Sequence, residues 1–145
     1  MERIIIDASD LILGRLSTFA AKKSILGNRV DIVNCESCVI RGKKESIFAR
    51  YKLIEDRGIP SKGPFLHKKP DRFVKRTIRG MIGYKKGRGI DAYKNIKCHL
   101  GVPDEFKDKE LMKMDDINVY NQQSKRRVNH LKVGELCKLL GWKGL

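Results

Sequence analysis

The chain has 145 residues and carries 32 Lys and Arg against 17 Asp and Glu, a formal charge of +15. That length fits one domain, and Leu, Ile, Val and Phe supply 41 residues, above the roughly 20% of composition below which highly charged chains stay disordered. Apolar runs reach at most three residues once Gly is set aside, whereas a membrane span needs about 20, and Met1-Glu2-Arg3-Ile4 has no signal-peptide pattern, so a soluble intracellular protein is expected.

The first half alternates strand and helix. Arg3 to Asp7 is a short β-branched run, apolar on both faces as a buried parallel strand would be. Leu13 to Gly27 reads as a helix with Leu13, Leu16, Phe19, Ala20 and Leu26 at 3.6-residue spacing, Ser9 or Asp10 as its N-cap and Lys23 snorkelling out of the stripe. Val30 to Asn34 and Val39 to Arg41 read as strands. Lys44 to Arg57 reads as a helix built on Ile47, Phe48, Tyr51 and Ile54 and ended by Gly58 and Pro60. Such units imply crossovers, a parallel sheet and helices on its faces.

Residues 61–69 have turn chemistry and no period. Pro70 suits the first turn of a helix and Asp71 complements its dipole. From Arg72 to Ile82 the pattern is two-faced: Phe73, Val74, Ile78, Met81 and Ile82 share one half of the wheel, and Arg72, Lys75, Arg76 and Arg79 fall in a wedge of about 100° on the other. A loop rich in Gly, Lys and Arg follows, then a short helix near Asp91 to Asn95 and a strand at Ile96 to Leu100 that completes the sheet. Residues 104–116 hold six acidic side chains and read as an exposed, partly helical connection. Lys125-Arg126-Arg127 is a second small basic cluster, and Val133 to Leu140 a terminal helix stopped by Gly141. The expected organisation is one α/β domain over residues 1–103, including the basic helix-loop segment 61–95, with residues 104–145 as a C-terminal extension packed on it.

Charge is concentrated. Residues 61–100 hold 12 basic and two acidic side chains, so +10 of the total +15 sits in 40 residues. A solvated face usually mixes signs, and amphipathic helices normally carry acids for i to i+4 pairing. The helix at 72–82 has four cations and no acid on its polar face, which points to phosphate, with Arg72, Arg76 and Arg79 able to engage it bidentately. Glycines at 80, 83, 87 and 89 let backbone approach a phosphate.

Catalytic and metal motifs are weak. Gly87-Arg88-Gly89-Ile90-Asp91-Ala92 matches G-x-G-x-x-A but no strand precedes it, and no Walker loop exists. Cys35 and Cys38 have the spacing of a ligand pair, but Cys98 and His99 are distant in sequence and supply no second pair; the four cysteines read as reduced thiols, Cys35 and Cys38 as buried ones. Asp7 and Asp10 lack the D-x-D pairing of a phosphotransferase, and His67, His99 and His130 have no partner that sequence supplies. No cofactor and no metal are expected.

Taken in order, several motifs resemble one family. These are Asp7-Ala8 followed by Leu13-Gly14-Arg15-Leu16-Ser17, Val33-Asn34 before Ile40-Arg41-Gly42, Gly63-Pro64 with His67 and Pro70, Arg79-Gly80-Met81, Gly89, and Lys97 with Gly101 and Pro103. The ordered set resembles the universal large-subunit ribosomal protein numbered thirteen, and Val133-Gly134-Glu135-Leu136 through Leu140-Gly141-Trp142 resembles its archaeal and eukaryotic branch. The family often has Pro where this chain has Gly83.

The resemblance implies a three-layer α/β/α domain, Rossmann-like, with a small, mostly parallel sheet, basic loops and a helical C-terminal extension. It implies a non-catalytic constituent of the cytoplasmic ribosome, bound to large-subunit ribosomal RNA and neighbouring ribosomal proteins, with no membrane and no small-molecule substrate. The family's RNA-contacting region carries over onto Gly80 and Met81 with Arg76, Arg79, Lys85, Lys86 and Arg88, and onto the loop His67, Lys68 and Lys69. The expected RNA-binding set adds Arg72 and Lys75 of the helix, Arg41, Lys43, Lys44 and Lys62, and the cluster Lys125, Arg126 and Arg127. Competing readings are a Rossmann-like enzyme holding a phosphorylated substrate, with Asp7 as acid or base, and a free regulatory RNA-binding protein.

Overall fold

A computed structural model describes residues 1–121 and 128–144. Strand β1 (Arg3–Asp7) buries Ile4, Ile5 and Ile6 together, as its two-sided apolar pattern predicts. Helix α1 (Leu13–Ile25) turns Leu13, Leu16 and Ala20 to the core. The predicted stripe breaks at its end, where Leu26 is 63% exposed: the helix stops at Ile25, and Gly27 adopts a φ of +96° to lead the chain away. Lys23 does snorkel, its Nζ 5.5 Å from the Phe19 ring centroid. Neither Ser9 nor Asp10 caps α1. The cap residue is Ile12, because the Ser9 hydroxyl donates to Asp7 at 2.7 Å and Asp10 is held at a φ of +59°.

Strand β2 (Arg29–Val33) runs parallel to β1, with Ile4 opposite Val30 and Ile6 opposite Ile32. Asn34 then takes a left-handed φ of +55° and a 3-10 turn at Cys35–Ser37 redirects the chain. Strand β3 (Val39–Arg41) therefore leaves the main sheet instead of extending it. Helix α2 (Lys44–Asp56) has Ile47 as its buried residue, while Phe48, Tyr51 and Ile54 are only half-buried. Helix α3 (Pro70–Met81) starts at Pro70, as its ring geometry favours. Helix α4 (Gly87–Lys94) begins four residues before the predicted Asp91. Strand β4 (Ile96–Cys98) pairs parallel with β2, giving the order β1-β2-β4.

The partner of β3 is an antiparallel strand β5 (His130–Lys132), which the sequence did not announce. With Leu131 as its one buried residue it has no readable period. Helix α5 (Val133–Leu139) follows directly and buries Val133, Leu136 and Cys137. It docks on the 3-10 turn through Gly134, where a Cβ would fall 2.9 Å from the Glu36 carbonyl oxygen.

The two faces of the sheet are covered differently. Ile4, Ile6, Val30, Ile32 and Ile96 point to one face and form a single core with Leu16 of α1, Phe73, Val74 and Ile78 of α3, Ala92 of α4 and Leu136 of α5. The third layer, over Ile5 and Val33, is the segment 102–111, anchored by Phe106 at 1% exposure with Val102 and Leu111 beside it. Its acidic residues face solvent as read, but the segment is a cover and not merely a connection: burying a Phe contributes about 1.5–3 kcal/mol.

Candidate nucleic-acid interface

Helix α3 positions the cationic face. Phe73, Val74 and Ile78 are buried against α1 and the sheet, which turns the opposite wedge outward. Arg72 is exposed, and the other three cations rest on neutral groups. Lys75 Nζ lies 4.7 Å from the Tyr93 ring centroid, Arg76 Nη1 donates to the Phe65 carbonyl at 3.3 Å, and the Arg79 guanidinium sits 5.0 Å over the Tyr84 ring. Aromatic faces and a carbonyl orient a cation without cancelling its charge. Among the described residues none of Arg72, Lys75, Arg76, Arg79, Lys85, Lys86 or Arg88 lies within ion-pair distance of a carboxylate.

The flanking loops extend this face. Lys62, His67 and Lys69 before α3, and Lys85 and Lys86 after it, are exposed. Arg88 donates to the Ile25 carbonyl at 3.3 Å and ties the start of α4 to the end of α1. The glycine stretch is mostly helix: Gly80 lies in α3, and Gly87 and Gly89 open α4. Gly89 is needed for packing, since a Cβ there would fall 2.0 Å from the Gly83 carbonyl oxygen. Gly80 has open space around it.

One predicted position differs from its reading. Met81, assigned to the packed half of the wheel, is 43% exposed, because α3 ends there and the extended Ile82 enters the core instead. Lys68 pairs with Glu55 at 2.8 Å and Lys44 with Glu135, so both are partly neutralised; the Lys68 hydrogen bond holds the Glu55 carboxyl below its ordinary range. Arg41 and Lys43 are exposed at the junction of β3 and α2. Lys125, Arg126 and Arg127 lie outside the described residues. Sequence reading missed Tyr84 and Tyr93. Tyr84 could have been suspected from an aromatic residue placed among Gly, Lys and Arg, but nothing local links Tyr93 to Lys75.

The competing chemistry finds little support. Asp7 accepts from the Ser9 amide at 3.1 Å, the Ser9 hydroxyl at 2.7 Å and Asn34 Nδ2 at 2.9 Å. Burial raises its pKa, but the hydrogen bonds from Asn34 and Ser9, with Lys113 nearby, outweigh that and hold it below the ordinary value. It is an ionised structural acceptor, unsuited to general acid work near neutrality. Cys38 donates to the Leu11 carbonyl at 3.1 Å and burial pushes its thiol up to about 12. Tertiary structure does bring Cys98 beside Cys35, whose pKa is raised first by that thiol and then by burial. The His99 ring, however, turns to Asp31, with Nε2 3.1 Å from Oδ1. Among the described residues no group of three or more His, Cys, Asp or Glu side chains is arranged to hold a metal.

A small α/β fold bearing a row of propped cations that, among the described residues, have no carboxylate partner has the chemistry of a polyanion-binding protein. The ribosomal protein L13 family matches residues 1–105. The large ribosomal subunit protein uL13 of Archaeoglobus fulgidus is 40% identical over 141 residues, covering 97% of this chain and 89% of its own length. Those of Methanococcoides burtonii and Methanosarcina barkeri are 38% and 39% identical, each covering 96% of this chain and 98% of their own length. The chain belongs to the ribosomal protein L13 family, a family of ribosomal proteins and not of enzymes.

Proposed function

We propose that the chain is a structural constituent of the large ribosomal subunit that binds ribosomal RNA through α3 and the loops at its two ends, and that neighbouring ribosomal proteins pack around it on the cytoplasmic ribosome. The observation that carries this reading is the set of α3 cations held by Tyr93, the Phe65 carbonyl and Tyr84 with no carboxylate partner among the described residues. Such a surface neutralises phosphates and responds to backbone and shape more than to base sequence. Met81 and Gly80 sit at its end, where an exposed side chain and an open backbone can meet a ribose or a base.

The test is the variant Arg72→Gln, Arg76→Gln, Arg79→Gln, which keeps long helix-tolerant side chains. It should melt like wild type and lose in competition for incorporation into large subunits. The magnitude of its salt slope on large-subunit RNA should fall by about 2–3, at roughly 0.7–0.9 per phosphate contact. Equal incorporation at physiological salt would remove α3 from the RNA interface.

A further inference from the structure

A second cationic surface lies across the sheet from α3. In the parallel register Arg3 stands opposite Arg29 and Asp31 opposite Lys97, and strand alternation puts all four on the face of Ile5 and Phe106. With Lys94 and Asn95 at the end of α4, and Glu105, they line a cleft of about 400 Å³. Arg3 is fixed within it: its Nε donates to Asp31 Oδ2 at 2.7 Å, and its guanidinium lies 4.9 Å over the Phe106 ring.

Four cations of the cleft face two carboxylates, Asp31 and Glu105, the second acting on Arg3. Asp31 is buried and spends its two oxygens on Arg3 and His99. Arg29, Lys94 and Lys97 are exposed, and among the described residues none of them lies within ion-pair distance of a carboxylate. The excess positive charge is carried by Arg29, Lys94 and Lys97 around one cleft, and an entering anion offsets it. The lining is polar or charged throughout, unlike a protein interface core, which is rich in aromatic residues and poor in Lys and Glu. The geometry points to a second RNA-backbone site: this cleft takes the phosphodiester of an RNA segment other than the one on α3. The proposal rests on the RNA-binding reading above, and it makes the protein a clamp between two RNA segments on opposite faces of one sheet.

The experiment compares wild type with two variants, Arg29→Gln, Lys94→Gln, Lys97→Gln in the cleft and Arg72→Gln, Arg76→Gln, Arg79→Gln on α3. The probe is purified large-subunit ribosomal RNA, read by hydroxyl-radical footprinting and by affinity against salt. The cleft variant leaves Arg3 and Asp31 in place. It should lose protection of one RNA segment while keeping the segment that the α3 variant loses, and its slope magnitude should fall by about 2–3. A wild-type footprint and slope from the cleft variant, as an acidic protein neighbour would leave them, overturn the clamp, and so does loss of the same segment by both variants. A wild-type footprint from the α3 variant alone instead overturns the α3 assignment. Should the cleft variant lose its melting transition, Arg29→Gln and Lys97→Gln singly give the same readout at about one third of the effect.

Discussion

The guanidinium of Arg79 lies 5.0 Å over the ring of Tyr84, three residues beyond the end of its own helix. The contact keeps a flexible cation at one place on the surface while leaving its charge available, which lowers the entropy lost when a phosphate arrives. An exposed cation–π contact contributes about 0.5–1 kcal/mol. Tyr84→Leu should therefore weaken RNA binding by about 2- to 5-fold, and Tyr84→Phe, which keeps the ring, should bind like wild type. Equal affinity for the Leu and Phe variants would show that the ring does not position Arg79.

Ile78 tests the packed side of the same helix. It is fully buried among α1, α3 and sheet residues, so Ile78→Ala should cost about 2–5 kcal/mol, with Tm falling by about 2–4 °C for each kcal/mol in a chain of this size. Every cation remains, and molecules still folded should bind RNA with the wild-type salt slope. An unchanged Tm would contradict the burial of this face.

How much of this was legible depends on whether the signal was local. β1, α1, α3 and α5 were readable because each carries its own period or punctuation, as Phe73, Val74 and Ile78 do for α3. The β3–β5 pair was not, since it joins Val39 to Lys132 and Arg41 to His130 across the chain with one fully buried residue from each strand. Phe106 was hidden for a different reason: a single aromatic residue among acids gives no pattern, yet it meets Ile5 and Val33 on the second face. The basic face of α3 was visible as a charge run, but its props were not, because Lys75 finds Tyr93 only in three dimensions. The cleft of Arg3, Arg29, Lys94 and Lys97 is likewise assembled by strand register.

Two glycines near α3 separate packing from binding. A Cβ on Gly89 would overlap the Gly83 carbonyl, so Gly89→Ala must displace the 82–86 turn and should cost about 1–3 kcal/mol. Gly80 is in a helix with nothing near its Cβ position, and Gly80→Ala should stabilise the free protein by about 0.5–1 kcal/mol. If RNA backbone approaches α3 at this point, the more stable Ala variant should nonetheless bind RNA less tightly. Thermal melts and affinity measured on the same samples decide this; a gain in Tm with unchanged affinity would place Gly80 outside the contact.

Asp7 gives the pH dependence. Its three donors, from Ser9 and Asn34, join the end of β1 to the turn after β2, and they hold its folded pKa below the ordinary 3.8. A depressed carboxylate contributes stability that is fully present above the unfolded pKa and is lost as pH falls through the folded one. The contribution is therefore complete at pH 7, begins to fall near pH 4 and is lost as the pH drops through the folded pKa. Asp7→Asn keeps an acceptor oxygen but removes its charge, replacing hydrogen bonds of the charge-assisted kind with neutral ones, a loss of about 1 kcal/mol. Melts from pH 7 down to pH 3 should show the variant less stable than wild type at neutral pH and the two converging as the wild-type carboxyl protonates. A stability difference that stays constant over that range would mean that the carboxylate charge does not hold the β1 end to the Asn34 turn.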